Sequence, residues 1–117
     1  MTYIIATTDK ESGDKLIKIL KAHKTIAFQG CFAALKEAEA NIREKPPDMA
    51  FIWLDVAEIN AFRLASKIKE QSPFSKVIFV SSQRENAVEA FEYEADGFLL
   101  LPFNKKKIAQ LLLHNNK

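Results

Sequence analysis

The sequence predicts an α/β domain built on a doubly wound parallel sheet. Three observations lead there. Met49-Ala50-Phe51-Ile52-Trp53-Leu54 is an unbroken apolar run, bounded by Pro46-Pro47 before it and by Asp55 after it. An unbroken run reads as a strand buried on both faces, because one wet face would leave an alternating pattern. Val77-Ile78-Phe79-Val80 repeats the signal. Between and around these runs the apolar spacing is helical. Strands separated by helical stretches imply right-handed βαβ crossovers and a sheet covered on both faces.

Each element follows in order. Tyr3 to Ala6 is the first strand, with Thr7-Thr8-Asp9 at its carboxyl end. Glu11 to His23 carries Leu16, Ile17 and Leu20 at helical spacing, and Asp9 and Ser12 are both candidate N-caps. Thr25 to Gly30 reads as the second strand. Phe32 to Lys45 reads as a helix with Phe32, Leu35, Ala38 and Ile42 on one stripe, stopped by Pro46. The Asp55 strand follows. Phe62, Ala65 and Ile68 mark a third helix, ending near Gln71-Ser72-Pro73. The Val77 run reaches Ser81-Ser82. Asn86 to Tyr93 is a short helix carrying Val88 and Phe91. Gly97 to Leu101 is the fifth strand, stopped by Pro102. Asn104 caps a last helix with Ile108, Leu111 and Leu112 inside, and the tail from His114 to Lys117 is expected to fray.

The totals set bounds. A chain of 117 residues suits one domain, residues 1–117, and its 48% hydrophobic and 27% charged residues suit a packed core. With 17 basic and 15 acidic residues the net charge is +2, too balanced to argue for nucleic acid or a membrane surface. Cys31 is the one cysteine, so neither an intrachain disulfide nor a multi-cysteine metal site is available. A cytoplasmic location is expected, since such a chain does without disulfide staples. Met1 to Ala6 has no basic segment of the signal-peptide kind. No run approaches the roughly 20 apolar residues of a membrane helix.

Asp55 is the leading candidate for chemistry. A carboxylate at the carboxyl end of a central strand lies on the face where open α/β sheets bind ligands. It can attack phosphorus to give an acyl phosphate if a cation offsets the charge on both partners. The plainer role for such an aspartate is to cap the next helix.

Four segments together resemble a bacterial response-regulator receiver domain, over essentially the whole chain. They are Ile4-Ile5-Ala6-Thr7-Thr8-Asp9, Phe51-Ile52-Trp53-Leu54-Asp55, Val77-Ile78-Phe79-Val80-Ser81 and Asp96-Gly97-Phe98-Leu99-Leu100-Leu101-Pro102-Phe103. Ala87-Val88-Glu89-Ala90-Phe91-Glu92 looks most like receivers coupled to LytTR-type DNA-binding domains. The resemblance implies a flavodoxin-like strand order 2-1-3-4-5, the order for which a receiver serves as the standard example. It implies two-component signalling and a phosphoryl group received on Asp55. It makes Ser81 the hydroxyl that contacts that group, and Phe98 the aromatic switch position. It also implies magnesium held by an acidic pair after strand one. Ser81 is also an ordinary turn residue, and Phe98 an ordinary half-buried aromatic.

The chain departs from that pattern at one pocket. The acidic pair is Thr8-Asp9, so Asp9 and Asp55 remain as oxygen ligands and Thr8 brings no charge. Magnesium binding is therefore expected to be weak or lost. The lysine expected before Pro102 is Leu101, which has neither charge nor donor. That lysine pairs with the phosphoryl oxygens and links their arrival to loop movement. Lys105, Lys106 and Lys107 are near in sequence and most simply form a solvated face. The loop Val56-Ala57-Glu58-Ile59-Asn60-Ala61 lacks the usual Met-Pro, is shorter, and has Ala61 at the glycine position. Glu58 either brings a carboxylate near the pocket or faces solvent.

The expectation is a degenerate receiver, a protein-interaction module rather than an enzyme. Contact is expected through helix four, strand five and helix five, with Phe91, Tyr93 and Phe98 as the residues to watch, in a homodimer or with a protein partner. The alternative is a phosphorylatable receiver served by a histidine kinase. A flavin site is disfavoured, because Thr7-Thr8 is followed by no glycine before Gly13 and an amide cradle for phosphate usually needs more. No organic cofactor is expected. Direct nucleic-acid binding is not expected either.

Overall fold

The computed structural model describes residues 1–57 and 59–115. It contains β1 (Thr2–Ala6), α1 (Lys10–Leu20), β2 (Ala27–Phe32), α2 (Leu35–Glu44), β3 (Met49–Trp53), α3 (Ala61–Gln71), β4 (Lys76–Ser81), α4 (Asn86–Glu92), β5 (Gly97–Leu100) and α5 (Lys105–Asn115). The strands form one sheet in the order β2-β1-β3-β4-β5, and every pair is parallel. This is the flavodoxin-like order that the resemblance implies.

The unbroken apolar runs are explained by the alternation of side chains across the sheet. Tyr3, Ile5, Met49, Phe51, Trp53, Ile78 and Val80 face one side and pack with Leu16, Leu20, Ile108 and Leu112 of α1 and α5. Ile4, Ala6, Ala50, Ile52, Val77 and Phe79 face the other and pack with Ile42, Leu64, Ile68 and Ala90 of α2, α3 and α4. β3 is buried along its whole length.

Caps set several helix starts. Asp9 Oδ1 accepts from the Ser12 amide at 3.4 Å, making Asp9 the cap of α1. Ser12, the other candidate, instead accepts a hydrogen bond from Trp53 Nε1 at 3.0 Å, tying α1 to β3. Asn60 caps α3 through the Arg63 amide, and Asn104 caps α5 through the Lys107 amide.

Several expected boundaries move: the first helix starts at Lys10 and ends at Leu20 rather than running from Glu11 to His23, and the fourth helix and fifth strand each end one residue early, at Glu92 and Leu100. The second strand runs Ala27–Phe32 rather than Thr25 to Gly30, and α2 begins at Leu35, so Phe32 ends a strand. β2 is an edge strand with no fully buried residue, so its sequence carries neither a continuous nor an alternating apolar signal. Phe32 still packs beside Leu35 against the α2 side of the core, which is why it mimicked a helical stripe. In α1 the buried set is Leu16, Ile19 and Leu20, with Ile17 only partly buried. At the end of the chain, His114 and Asn115 continue α5 instead of fraying, and Asn115 is buried with its Nδ2 donating to the Leu111 carbonyl at 3.0 Å. Asn116 and Lys117 lie outside the described residues.

One polar tie joins three elements beneath the sheet. Asp96 Oδ2 accepts from Lys69 Nζ and from the Val77 amide, each at 2.8 Å, and Lys69 Nζ also donates to the Ser75 carbonyl at 2.6 Å. Asp96→Ala strands the Val77 amide and leaves Lys69 with the Ser75 carbonyl alone among these acceptors. It should cost about 1–3 kcal/mol of stability, the scale of a half-buried group left unsatisfied. The urea midpoint falls while the slope stays unchanged.

Candidate functional site

Register brings the site together. β3 and β4 pair through Trp53 and Val80, and the Leu54 amide still donates to the Val80 carbonyl at 2.8 Å. Asp55 therefore emerges next to the end of β4. Its Oδ1 accepts from Ser81 Oγ at 2.7 Å. Its Oδ2 accepts from the Ser82 amide at 2.7 Å and from Ser82 Oγ at 2.9 Å. The buried Ser81 hydroxyl in turn accepts from the Gln83 amide at 2.9 Å and from Asn86 Nδ2 at 3.0 Å. One donated and two accepted bonds exhaust a hydroxyl. A continuous chain thus runs from Asp55 through Ser81 to the first residue of α4.

Burial pushes the Asp55 carboxyl up, but the Ser82 amide and the Ser81 and Ser82 hydroxyls together outweigh it. The group is held below its ordinary value. Among the described residues, the groups hydrogen-bonded to it are neutral donors.

The other expected residues are spread over the ends of β1 and β5, the loop after Asp55, α4 and α5. Asp9 is exposed at the start of α1, and its amide donates to Thr7 Oγ1 at 3.0 Å. Thr8 is exposed beside it. Leu101 follows β5 with its amide donating to the Ser81 carbonyl at 2.8 Å, and its half-buried side chain packs against the α1–α5 side of the core. Lys105, Lys106 and Lys107 are exposed at the start of α5. In the loop after Asp55, Val56 and Ile59 pack into the core, and Ala61 is already helical, so no glycine conformation is required there. Glu58 lies outside the described residues. Phe98 is half-buried against the α4 side and pairs in register with Phe79. Val88, Phe91 and Tyr93 are exposed, with Tyr93 stacked on Phe62 at 4.2 Å between centroids.

A family model described as the response regulator receiver domain matches residues 3–113. The chain belongs to the response-regulator receiver family. Among curated relatives, the sensory transduction protein LytT of Bacillus cereus is 25% identical over 99 residues, covering 85% of this chain and 40% of the relative. The transcriptional regulatory protein YpdB of Escherichia coli K12 is 24% identical over 112 residues, covering 96% of this chain and 46% of the relative. This receiver therefore spans less than half the length of those relatives. The solved response regulatory domain of MrkE from Klebsiella pneumoniae shares the fold, with a TM-score of 0.88 at 22% identity over 99% of this chain and 95% of that one.

Receiver domains bind magnesium at the phosphorylation site. Such an ion needs one or two carboxylates, with water completing an octahedron. The Asp9 carboxylate accepts one long bond, from the Ser12 amide at 3.4 Å. Asp55 has three donors already on its two oxygens. Among the described residues no three His, Cys, Asp or Glu side chains are grouped for a metal. Asp9 and Asp55 are the two carboxylates that the family resemblance leaves for the ion.

Sequence reasoning did not single out Ser82 and Asn86. A second hydroxyl after Ser81, and an amide opening a helix that has no side-chain cap, were the available signals.

A carboxyl whose folded pKa lies below its unfolded one favours folding once ionised. That contribution is present above the unfolded pKa and is lost as pH falls through the folded one. In a titration read by side-chain carboxyl carbon shifts, the Asp55 midpoint should lie below that of an ordinary aspartate. Ser82→Ala should raise it, and an unmoved midpoint would contradict the donor account.

Proposed function

We propose that this receiver is a degenerate one. It acts as a signalling module by protein contact through the face formed by α4, β5 and α5, with phosphoryl transfer to Asp55 impaired. The observation that carries this is the charge environment of Asp55: three neutral donors, with Leu101 where the family has a lysine. Phosphoryl transfer is mainly electrostatic stabilisation and positioning. A pocket with Thr8 and Leu101 has less of both. If magnesium binds, Asp9 and Asp55 hold it, and its chemistry is to offset charge on the phosphoryl oxygens.

The exposed Val88, Phe91 and Tyr93 suit a contact surface, since aromatic groups are enriched at interface cores. Its partner is a second copy of this chain or a signalling protein; receivers interact with histidine kinases and effector domains. In this role the chain is not an enzyme, and it works in the bacterial cytoplasm, where such kinases signal.

A second reading, a phosphorylatable receiver, is favoured by one observation. The Asp55–Ser81–Asn86 chain would carry a change at the carboxylate to α4.

Beryllofluoride with magnesium mimics the acyl phosphate and needs no cognate kinase. Followed by amide chemical shifts, it should leave Phe91, Tyr93 and Phe98 unmoved at millimolar magnesium. Saturable shifts at those residues, abolished in Asp55→Asn, would establish a working phospho-switch and overturn the degenerate reading.

A further inference from the structure

A cavity of about 390 Å³ opens between the start of α1 and the residues that follow β4 and β5. Ser82, whose amide and hydroxyl hold Asp55, forms part of its lining. Asp9 and Glu11 contribute carboxylates, and Leu101 and Phe103 an apolar wall. Lys15, from the middle of α1, is the one cationic side chain among the lining residues.

We propose that Lys15 supplies, from α1, the counter-charge that β5 lacks, so that this cavity takes a phosphoryl-type oxyanion at Asp55. The proposal rests on the receiver reading of Asp55 as the group that carries the anion.

Four observations support it. Lys15 is exposed, and its ammonium has only a contact with the Phe103 ring, 5.4 Å from the centroid, among the described residues. That contact is weak in water and is readily given up for an anion. An ammonium on a four-carbon stem is a mobile point charge, able to turn from the ring into the cavity. The base of that stem is fixed relative to Asp55: Leu16 beside it is fully buried, and the Trp53–Ser12 bond ties the same helix to the strand that delivers Asp55. Finally, Lys15 also borders an adjoining cavity lined by Lys18, His23 and Lys105, with no carboxylate. Like charges there favour its turning toward the side that holds Asp9 and Glu11.

The carboxylates of Asp9 and Glu11 oppose an anion. Binding is therefore expected only with magnesium present, and Lys15 is the lining group left to pair with the anion directly. The apolar wall of Leu101 and Phe103 strengthens that pairing by excluding water.

The test is a beryllofluoride titration with magnesium, read at the Ser82 backbone amide and at the Lys15 side-chain nitrogen. The wild type should show saturable shifts at both. Lys15→Met should weaken the Ser82 response by about tenfold or more, the scale of one charge-assisted bond. Adding Leu101→Lys to Lys15→Met should restore it. A flat wild-type response at Ser82, or a Lys15→Met titration matching the wild type, would overturn the proposal. Shifts reaching Phe91 and Tyr93 would sink the degenerate reading while leaving Lys15 in place, so the two failures are separate.

Discussion

The burial of β3 on both faces is the constraint from which the rest follows. A strand with Phe51 and Trp53 on one side and Ala50 and Ile52 on the other is stable only between two layers of helices. Parallel crossovers supply those layers, and they put the carboxyl ends of all five strands on one edge. Asp55 is the first charged residue after β3 on that edge. The nearby Trp53 reaches through the layer to Ser12 and locks α1 in place. The same packing that removes β3 from water therefore delivers one carboxylate, two serines and the start of α1 to one pocket.

The charge balance of that pocket is altered in a paired way. Against the pattern that the resemblance implies, Thr8 removes a negative charge and Leu101 removes a positive one, so the formal sum is unchanged. The Ser81 and Ser82 donors hold the Asp55 carboxyl below its ordinary value. On the degenerate reading proposed above, donors that satisfy the carboxylate must also be surrendered or rearranged when an anion arrives, which would raise the cost of phosphoryl chemistry.

What was legible in the sequence follows from burial. β3 and β4 are enclosed on both sides, so an unbroken apolar run announces them. β2 lies at the edge, and its half-wet residues gave a boundary two residues off; Phe32, packed beside Leu35, then passed for helix. Asn115 reads as a polar tail residue, yet its amide bonds its own helix and lets it sit inside. Asp9, Asp55 and Ser81 were recognisable because each ends a strand or opens the turn after one. Ser82 was not, since its contact with Asp55 spans 27 positions, and Asn86, five positions from Ser81, reads in the sequence as an ordinary residue opening a helix.

The most direct measurement is covalent phosphorylation by a small phosphodonor, phosphoramidate with magnesium, followed by intact mass. If the missing charges disable the chemistry, the wild type gains a phosphoryl group at least about ten times more slowly than Thr8→Asp/Leu101→Lys, a barrier difference of roughly 1.4 kcal/mol. Asp55→Asn in the double variant should abolish the gain. A wild type that is modified at Asp55 as fast as the double variant would contradict the degenerate pocket and make this chain a competent phospho-acceptor.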